Sequence, residues 1–194
     1  DVWSNSTLEN VGSDLVTNGG FGSNTNDWDA QNSVLSSEGS GQSGNCLKIL
    51  QNSGSSGIAS QDITTVIGKL YKVSFYVKQG SGTVPFYRIG TSQFGGETVS
   101  DTVVAVTGSW VAHSFVFEAT ATTSYLQFAH GGADTQYALF DTVTLYEVTP
   151  GCVAANNKAM DGWIKEDNTQ CKLYRQHNDA DTETVSKVGS FYSL

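Results

Sequence analysis

Short runs of alternating apolar and polar residues, each closed by glycine and small polar residues, dominate this sequence. Alternation of period two places successive side chains on opposite faces of a β-strand, whereas a helix needs a period of 3.6. Such runs occur at 46–50, 71–78, 84–90, 102–106, 109–119, 124–130 and 137–148. No helical pattern of useful length competes with them, so we predict an all-β chain.

The segments between these runs supply the turns. Stretches such as "QNSGSSG", "FGGE" and "HGGAD" provide glycines for positive φ angles and short polar side chains that bond the backbone. Many short antiparallel strands can each bury one face when two sheets close on each other. The predicted fold class is therefore a β-sandwich of the jelly-roll type.

Composition excludes several classes of partner. The chain has 194 residues and a net charge of −9, so it lacks the cations that would neutralise a nucleic acid. No apolar run approaches the roughly eighteen residues of a membrane helix, and no membrane partner is expected.

Three scattered cysteines do not form a zinc motif. Cys46 is predicted to be a buried hydrophobe, and a Cys152–Cys171 bridge stays open.

Residue parity separates a predicted core from a predicted surface. In 71–78 the core face carries Val73, Phe75 and Val77, and the outer face carries Lys72, Ser74, Tyr76 and Lys78. His113 has the inner parity of its strand. It is predicted to be a hydrogen-bonded histidine of the core or its rim, not a catalyst.

Five segments follow one another in a recognisable order. They are "LVTNGGFGSNTNDWDA" (15–30), "SGNCLKIL" (43–50), "ASQDITTVIGKLYKVSFYVK" (59–78), "GSWVAHSFVFEAT" (108–120) and "FDTVTLYEV" (140–148). Together they resemble the landmarks of the carbohydrate-binding modules of families 4, 9 and 22. The resemblance implies a jelly roll over 13–149, preceded by a linker over 1–12. Locally, Trp28 is predicted to be a half-buried plug, and 63–78 a hairpin.

The resemblance also implies one structural Ca²⁺, with Asp141 and Gly20 among its expected ligands. In the resembling families a Glu follows the "NGGF" landmark, but here Gly22 stands at that position. Losing a carboxylate weakens a site for a cation that binds roughly six to eight oxygen atoms. The alternative is that Asp141 simply accepts backbone N–H bonds.

Residues 150–194 repeat the opening of the first module in outline. "NNKAMDGWIKE", "QCKLYRQ" and "SKVGSFYSL" follow one another there, and they resemble the start of jelly-roll modules in phage tail fibres and other virion appendages. We predict an incomplete second module. Either the chain is an excerpt of a longer tandem protein, or these strands complete a sheet in a neighbouring subunit.

Catalytic patterns are absent from the sequence. There is no G-x-S-x-G motif, and the carboxylates lie mostly in turn-like segments with nothing to pair them: Glu38, Glu97, Asp101, Glu118 and Asp134. These carboxylates are interpreted as solvated loop charges. The protein is not expected to be an enzyme.

Sugar binding needs an exposed aromatic ring and polar neighbours. Tyr76 is the first candidate platform, with Arg88 and Gln127 as polar neighbours if their strands share its sheet. Further candidates are Phe86, Tyr87, Phe94 and Tyr137. The alternative is that Tyr76 and Trp110 only cover the exterior or an oligomer contact.

The sequence thus favours non-catalytic binding of a polysaccharide or cell-surface glycan. We expect the module to belong to a larger surface or virion appendage protein, outside the cell or on a virion, beside other copies or subunits. The alternative is a structural virion or filament subunit that uses the jelly roll for assembly only.

Overall fold

The computed structural model describes residues 8–82, 84–150, 162–165, 170–179 and 182–192, with side chains up to Thr149. The chain divides into two compact units, Ser13–Tyr146 and a second unit made of Asp1–Gly12 with Glu147–Leu194. The first unit contains two facing antiparallel sheets and no helix among its described residues. The all-β sandwich prediction is confirmed. No helix in the described chain is long and apolar enough to span a membrane.

Sheet A of the sandwich has the strand order β3-β4-β11-β6-β9. Its strands are β3 (Ser33–Glu38), β4 (Cys46–Gln51), β6 (Leu70–Ser81), β9 (Val111–Glu118) and β11 (Tyr137–Pro150). Sheet B has the order β2-β5-β10-β7-β8. Its strands are β2 (Asp29–Gln31), β5 (Gly57–Thr64), β7 (Pro85–Gly90), β8 (Val99–Val103) and β10 (Thr123–His130).

A cluster of aromatic rings fills the space between the two sheets. Phe75 of sheet A lies 4.8 Å from Phe128 and 5.8 Å from Tyr87, both of sheet B, measured between ring centroids. Phe128 in turn stacks on Phe140 at 4.5 Å. These rings come from strands on both sides, so the core ties the sheets together in the way the parity of 71–78 predicts.

The burial of Trp28 differs from the prediction, whereas the burial of Cys46 agrees with it. Trp28 is 7% exposed and packs against Phe21 and Phe128, so it belongs to the core and is not half-buried. Cys46 is a free, fully buried cysteine, as predicted. Burial raises the pKa of its thiol to about 11, so the thiolate is scarce at neutral pH.

The hairpin predicted over 63–78 is wrong. β5, before the turn, pairs with β2 and β10 in sheet B, whereas β6, after the turn, pairs with β9 in sheet A. The turn therefore carries the chain from one sheet to the other. Alternation identifies a strand but says nothing of its partner, because both sheets offer the same apolar inner face.

The last strand of the sandwich changes parity near its middle. Ala138 and Phe140 face the core in its first half, and Val143 and Leu145 face the core in its second half. Between them Thr142 adopts a positive φ of 51°. One extra residue is absorbed at this point, as in a β-bulge, so Phe140 and Asp141 are consecutive and both buried.

The second unit contains two sets of paired strands. β1 (Leu8–Val11) pairs antiparallel with the final residues of β11, where a linker was predicted. A separate three-stranded antiparallel sheet is formed by β12 (Gly162–Lys165), β13 (Gln170–Asp179) and β14 (Thr182–Tyr192). The predicted strand "QCKLYRQ" lies in β13. That these strands begin a second jelly roll stays a prediction, and the Cys152–Cys171 pair lies outside the described side chains.

Replacing Phe75 with Ala should reduce the free energy of unfolding by about 3–5 kcal/mol, because the lost ring leaves a cavity among rings of both sheets. Urea denaturation followed by tryptophan fluorescence measures the loss. Val116→Ala is the matched control on the next strand of sheet A: Val116 is 40% exposed, and its loss should stay below about 1 kcal/mol. Equal losses in both variants would contradict this description of the core.

Candidate functional site

One row of polar side chains crosses the outer face of sheet B. Gln127 of β10 is in register with Arg88 of β7 on one side and Ser60 of β5 on the other, and Ser60 is in register with Asp29 of β2. Leu126 and Phe128, on either side of Gln127, face the core. Residues in register on neighbouring strands share a face, so four strands contribute to this row.

Arg88 holds several groups of the row together. Its Nε donates to Oε1 of Gln127 at 3.0 Å, and its Nη1 lies 3.3 Å from a carboxylate oxygen of Asp101. Its Nη2 donates to the backbone carbonyl of Phe94. The Arg88 side chain is 14% exposed and that of Asp101 58%. The Asp101 contact is therefore the part of this network that water and ligands reach most easily.

The loop between β7 and β8, residues 91–98, lies over the row and is called the strap here. Nε2 of Gln127 donates to the carbonyl of Gly95 at 2.6 Å, and Nε2 of Gln93 donates to Asp29 at 2.6 Å. Under it, the Ser60 hydroxyl is buried with no hydrogen-bond partner among the described residues. The strap thus covers the centre of the row.

The strap is held in shape by one of its own carboxylates. Glu97 accepts hydrogen bonds from the Ser92 hydroxyl and from the Thr91 amide. These bonds, the Ser92 hydroxyl first, lower the pKa of Glu97 to about 2. Phe94 lies at the bend of the strap with a φ of 63°, a left-handed conformation that is uncommon for a bulky residue.

Open parts of the sheet B face flank the strap. Phe86 is half-buried and in register with Val103, which is 59% exposed. Tyr125, two residues from Gln127 on the same face, is in register with Asp62. Tyr125, Asp29 and Asp62 were not among the predicted site residues, although the parity of "SYLQFAH" places Tyr125 beside Gln127.

The structure separates the predicted platform from its predicted neighbours. Tyr76 lies on the outer face of sheet A, whereas Arg88 and Gln127 lie on sheet B, so the condition for grouping them is not met. Tyr76 borders a shallow depression of about 340 Å³. Its other lining residues on the outer face are Ser74, Ala112, Ser114, Thr142 and Thr144.

Tyr87 was a wrong choice as a ligand contact. It is 5% exposed and stacks on Phe115 at 4.0 Å inside the core. Its strand carries an aromatic residue on each face, so parity alone could not tell which side is buried. Phe86 is the aromatic residue of β7 on the outer face.

His113 lies in the core or at its rim as predicted, but the predicted hydrogen bond is missing at Nε2, which is buried with no hydrogen-bond partner among the described residues. Its ring faces inward, 5.3 Å from Phe75 and 5.2 Å from Tyr87. Burial lowers its pKa, so the neutral form dominates at neutral pH. A neutral histidine packed between aromatic rings fits a structural role.

Asp141 is fully buried and accepts backbone N–H bonds. Ser43 N donates to Oδ2 at 2.9 Å, and Thr142 N donates to Oδ1 at 2.6 Å. The described residues contain no group of three His, Cys, Asp or Glu side chains that could hold a metal ion. These contacts fit the N–H acceptor alternative and do not assemble an oxygen-rich cation cage. Calcium at Asp141 and exposed Gly20 stays a prediction.

One sheet face of the sandwich thus carries an aromatic ring, a guanidinium, an amide and carboxylates, which is the mixture of apolar and polar groups that ligand sites use. The family model described as carbohydrate binding domain, families 4 and 9, matches residues 13–135. The chain belongs to this family, and the predicted resemblance is confirmed. No curated protein sequence matches the chain.

Solved structures share the fold. The xylan-binding CBM22-1 domain of Paenibacillus barcinonensis Xyn10C matches with a TM-score of 0.54 and 16% identity, over 74% of this chain and 99% of that one. The CBM22-1–GH10 modules of Clostridium thermocellum Xyn10B, complexed with xylohexaose, match with a TM-score of 0.50 and 20% identity, over 69% and 28%. Bacteriophage CBA120 tailspike protein 4 matches with a TM-score of 0.56 and 13% identity, over 69% and 21%. At these identities the likeness shows the fold alone.

Replacing Glu97 with Gln should loosen the strap, because a neutral amide accepts more weakly than a carboxylate. Because the pKa of Glu97 is depressed, the stabilisation that its carboxylate gives to the strap is fully present above pH 4.5. This stabilisation is lost as the pH falls through about 2. Hydrogen exchange at the Thr91 amide should be faster in the variant at pH 6. Asp134→Asn, in the loop between β10 and β11, is the control. If the Thr91 amide exchanges at the same rate in Glu97→Gln as in the unchanged protein, Glu97 does not hold the strap in shape.

Replacing Asp141 with Asn should lower the free energy of unfolding by about 1–3 kcal/mol, since two N–H donors lose a charged acceptor. The described contacts predict the same loss in CaCl₂ and in EDTA, measured by urea denaturation. Asp62→Asn, an exposed carboxylate on β5, is the control. A loss that appears only in CaCl₂ would instead support the calcium ion.

Proposed function

We propose that this domain binds a polysaccharide or cell-surface glycan, without catalysis, on the outer face of sheet B. The observation that carries the proposal is that Phe86, Arg88 and Gln127 lie together on this face of a domain of the carbohydrate-binding family. Phe86 supplies an aromatic surface and Arg88 a cation, which are groups that sugar sites use, and the Gln127 amide holds Arg88 in place.

The ligand is placed beside the strap. There the apolar face of a sugar ring packs on Phe86 and the neighbouring Val103. Sugar hydroxyls form hydrogen bonds to the exposed Asp101 carboxylate and to Arg88. The contact between Asp101 and Arg88 is 3.3 Å, which is long for a hydrogen bond, so bonds to a sugar can replace it. Gln127, which is fully buried, positions the strap through Gly95 and does not meet the ligand directly.

The proposal also covers where the domain acts and what kind of larger protein contains it. A polysaccharide ligand places the domain outside a cell or on a virion surface, within a larger surface or appendage protein. Two likenesses support this setting: one to modules that accompany a xylanase, and one to a phage tailspike domain. Contacts with other copies or other subunits of such an appendage belong to the same proposal. The rival function is assembly alone, as a structural subunit.

A glycan array and a pull-down with neutral polysaccharides, xylan among them, test the proposal on the full chain. Phe86→Ala should weaken binding about tenfold or more, since it removes the aromatic surface. Tyr76→Ala is the matched control, because it removes an aromatic ring from the outer face of the opposite sheet, and it should leave neutral-glycan binding unchanged.

Two outcomes would overturn this assignment. Neutral-glycan binding that is lost in Tyr76→Ala but kept in Phe86→Ala would move the site to sheet A. A folded chain that binds no glycan would favour the assembly function. Circular dichroism on each variant establishes that it is folded.

A further inference from the structure

Cationic side chains are divided unevenly between the two sheets. All four lysines of residues 8–149 belong to sheet A or to the turn that enters it: Lys48, Lys69, Lys72 and Lys78. The outer face of sheet B instead carries Asp29, Asp62 and Asp101, with Arg88 as its cation. The two faces of this acidic domain therefore differ in the sign of charge that they attract.

Two of these lysines are available to a ligand. Lys48 forms an ion pair with Glu38 at 3.5 Å and lies over the Tyr137 ring. Lys72 and Lys78 have no carboxylate within ion-pair distance in the described part of the chain. Both point outward from β6, on the same side as Tyr76 and six positions apart. At the rise of a β-strand this places them about 20 Å from each other.

The surface between the two lysines suits a saccharide. The depression beside Tyr76 is lined by hydroxyl groups from three strands: Ser74 of β6, Ser114 of β9, and Thr142 and Thr144 of β11. Serine and threonine hydroxyls both donate and accept hydrogen bonds, as sugar hydroxyls do. At one end Lys78 lies 5.9 Å from the centre of the Trp110 ring, which adds a second aromatic surface.

We propose that the outer face of strands β11, β6 and β9 is a second glycan site, specific for acidic polysaccharides. The depression receives a sugar ring against Tyr76. Lys72 and Lys78 bind carboxylate or sulfate groups on sugars to either side. Glu118, on β9, is in register with Leu70 at the start of β6 and marks the limit of the basic surface.

The charges on the two faces give the two sites different ligands. An acidic polymer is repelled by Asp29, Asp62 and Asp101 on sheet B and attracted by the lysines on sheet A. A neutral glycan gains no charge–charge attraction from Lys72 and Lys78. This second site is independent of the one proposed on sheet B, and each can fail without the other.

Isothermal titration calorimetry on the full chain tests the second site with polygalacturonate, dextran sulfate and neutral xylan. The two acidic polymers distinguish carboxylate from sulfate recognition. We expect binding of at least one acidic polymer, weakened by added NaCl as expected for exposed charges. Replacing both Lys72 and Lys78 with Gln should lower that affinity about tenfold or more and leave xylan binding unchanged.

Two controls separate a site from general charge attraction. Lys48→Gln removes a lysine of the same sheet that is already paired, and it should change acidic-polymer binding little. Tyr76→Ala, which keeps all charges, should weaken it. The proposal is overturned if no acidic polymer binds at low salt or if Lys48→Gln weakens binding as much as the double variant. It is also overturned if Phe86→Ala removes acidic binding while the double variant keeps it.

Discussion

Two sheets that each carry an apolar face can be stable in water only if those faces cover each other, and the rings around Phe75 meet this requirement. Phe75, Phe128 and Phe140 come from three strands of two sheets and lie within contact of one another. Once the inner faces are committed to this core, every functional group must come from the outer faces or the loops. Both sites described here follow from that division.

The sequence allowed much of the sandwich to be predicted, because alternation is a local property. The inner parity of Val73, Phe75 and Val77 was visible in eight residues, and the structure buries all three. Which strands pair with each other is not a local property of the sequence. Nothing near β5 or β6 indicates that they belong to different sheets, so the predicted hairpin was wrong. The condition for grouping Tyr76 with Arg88 was not met for the same kind of reason, since β6 and β7 also lie in different sheets.

The site was predictable only in part, for a related reason. Arg88 and Gln127 were correctly assigned to the outer face, whereas Phe86 and Tyr87 were kept together as further candidates. Because β7 carries Phe86 on one face and Tyr87 on the other, hydrophobicity did not distinguish the buried ring. The strap depends on a contact between Gln93 and Asp29, which lie 64 positions apart. No pattern within a strand or a turn encodes a contact at that separation.

The change of parity in β11 has a consequence for how this domain can vary in evolution. The extra residue at Thr142 lets Phe140 and Val143 both reach the core, although three positions separate them. Losing that extra residue would restore plain alternation and keep Ala138, Phe140, Val143 and Leu145 on the core face, at the expense of the buried position of Asp141. Gaining one more residue would instead turn one half of the strand to the solvent. Single-residue insertions should therefore accumulate in the loops of this family and be rejected in the middle of this strand.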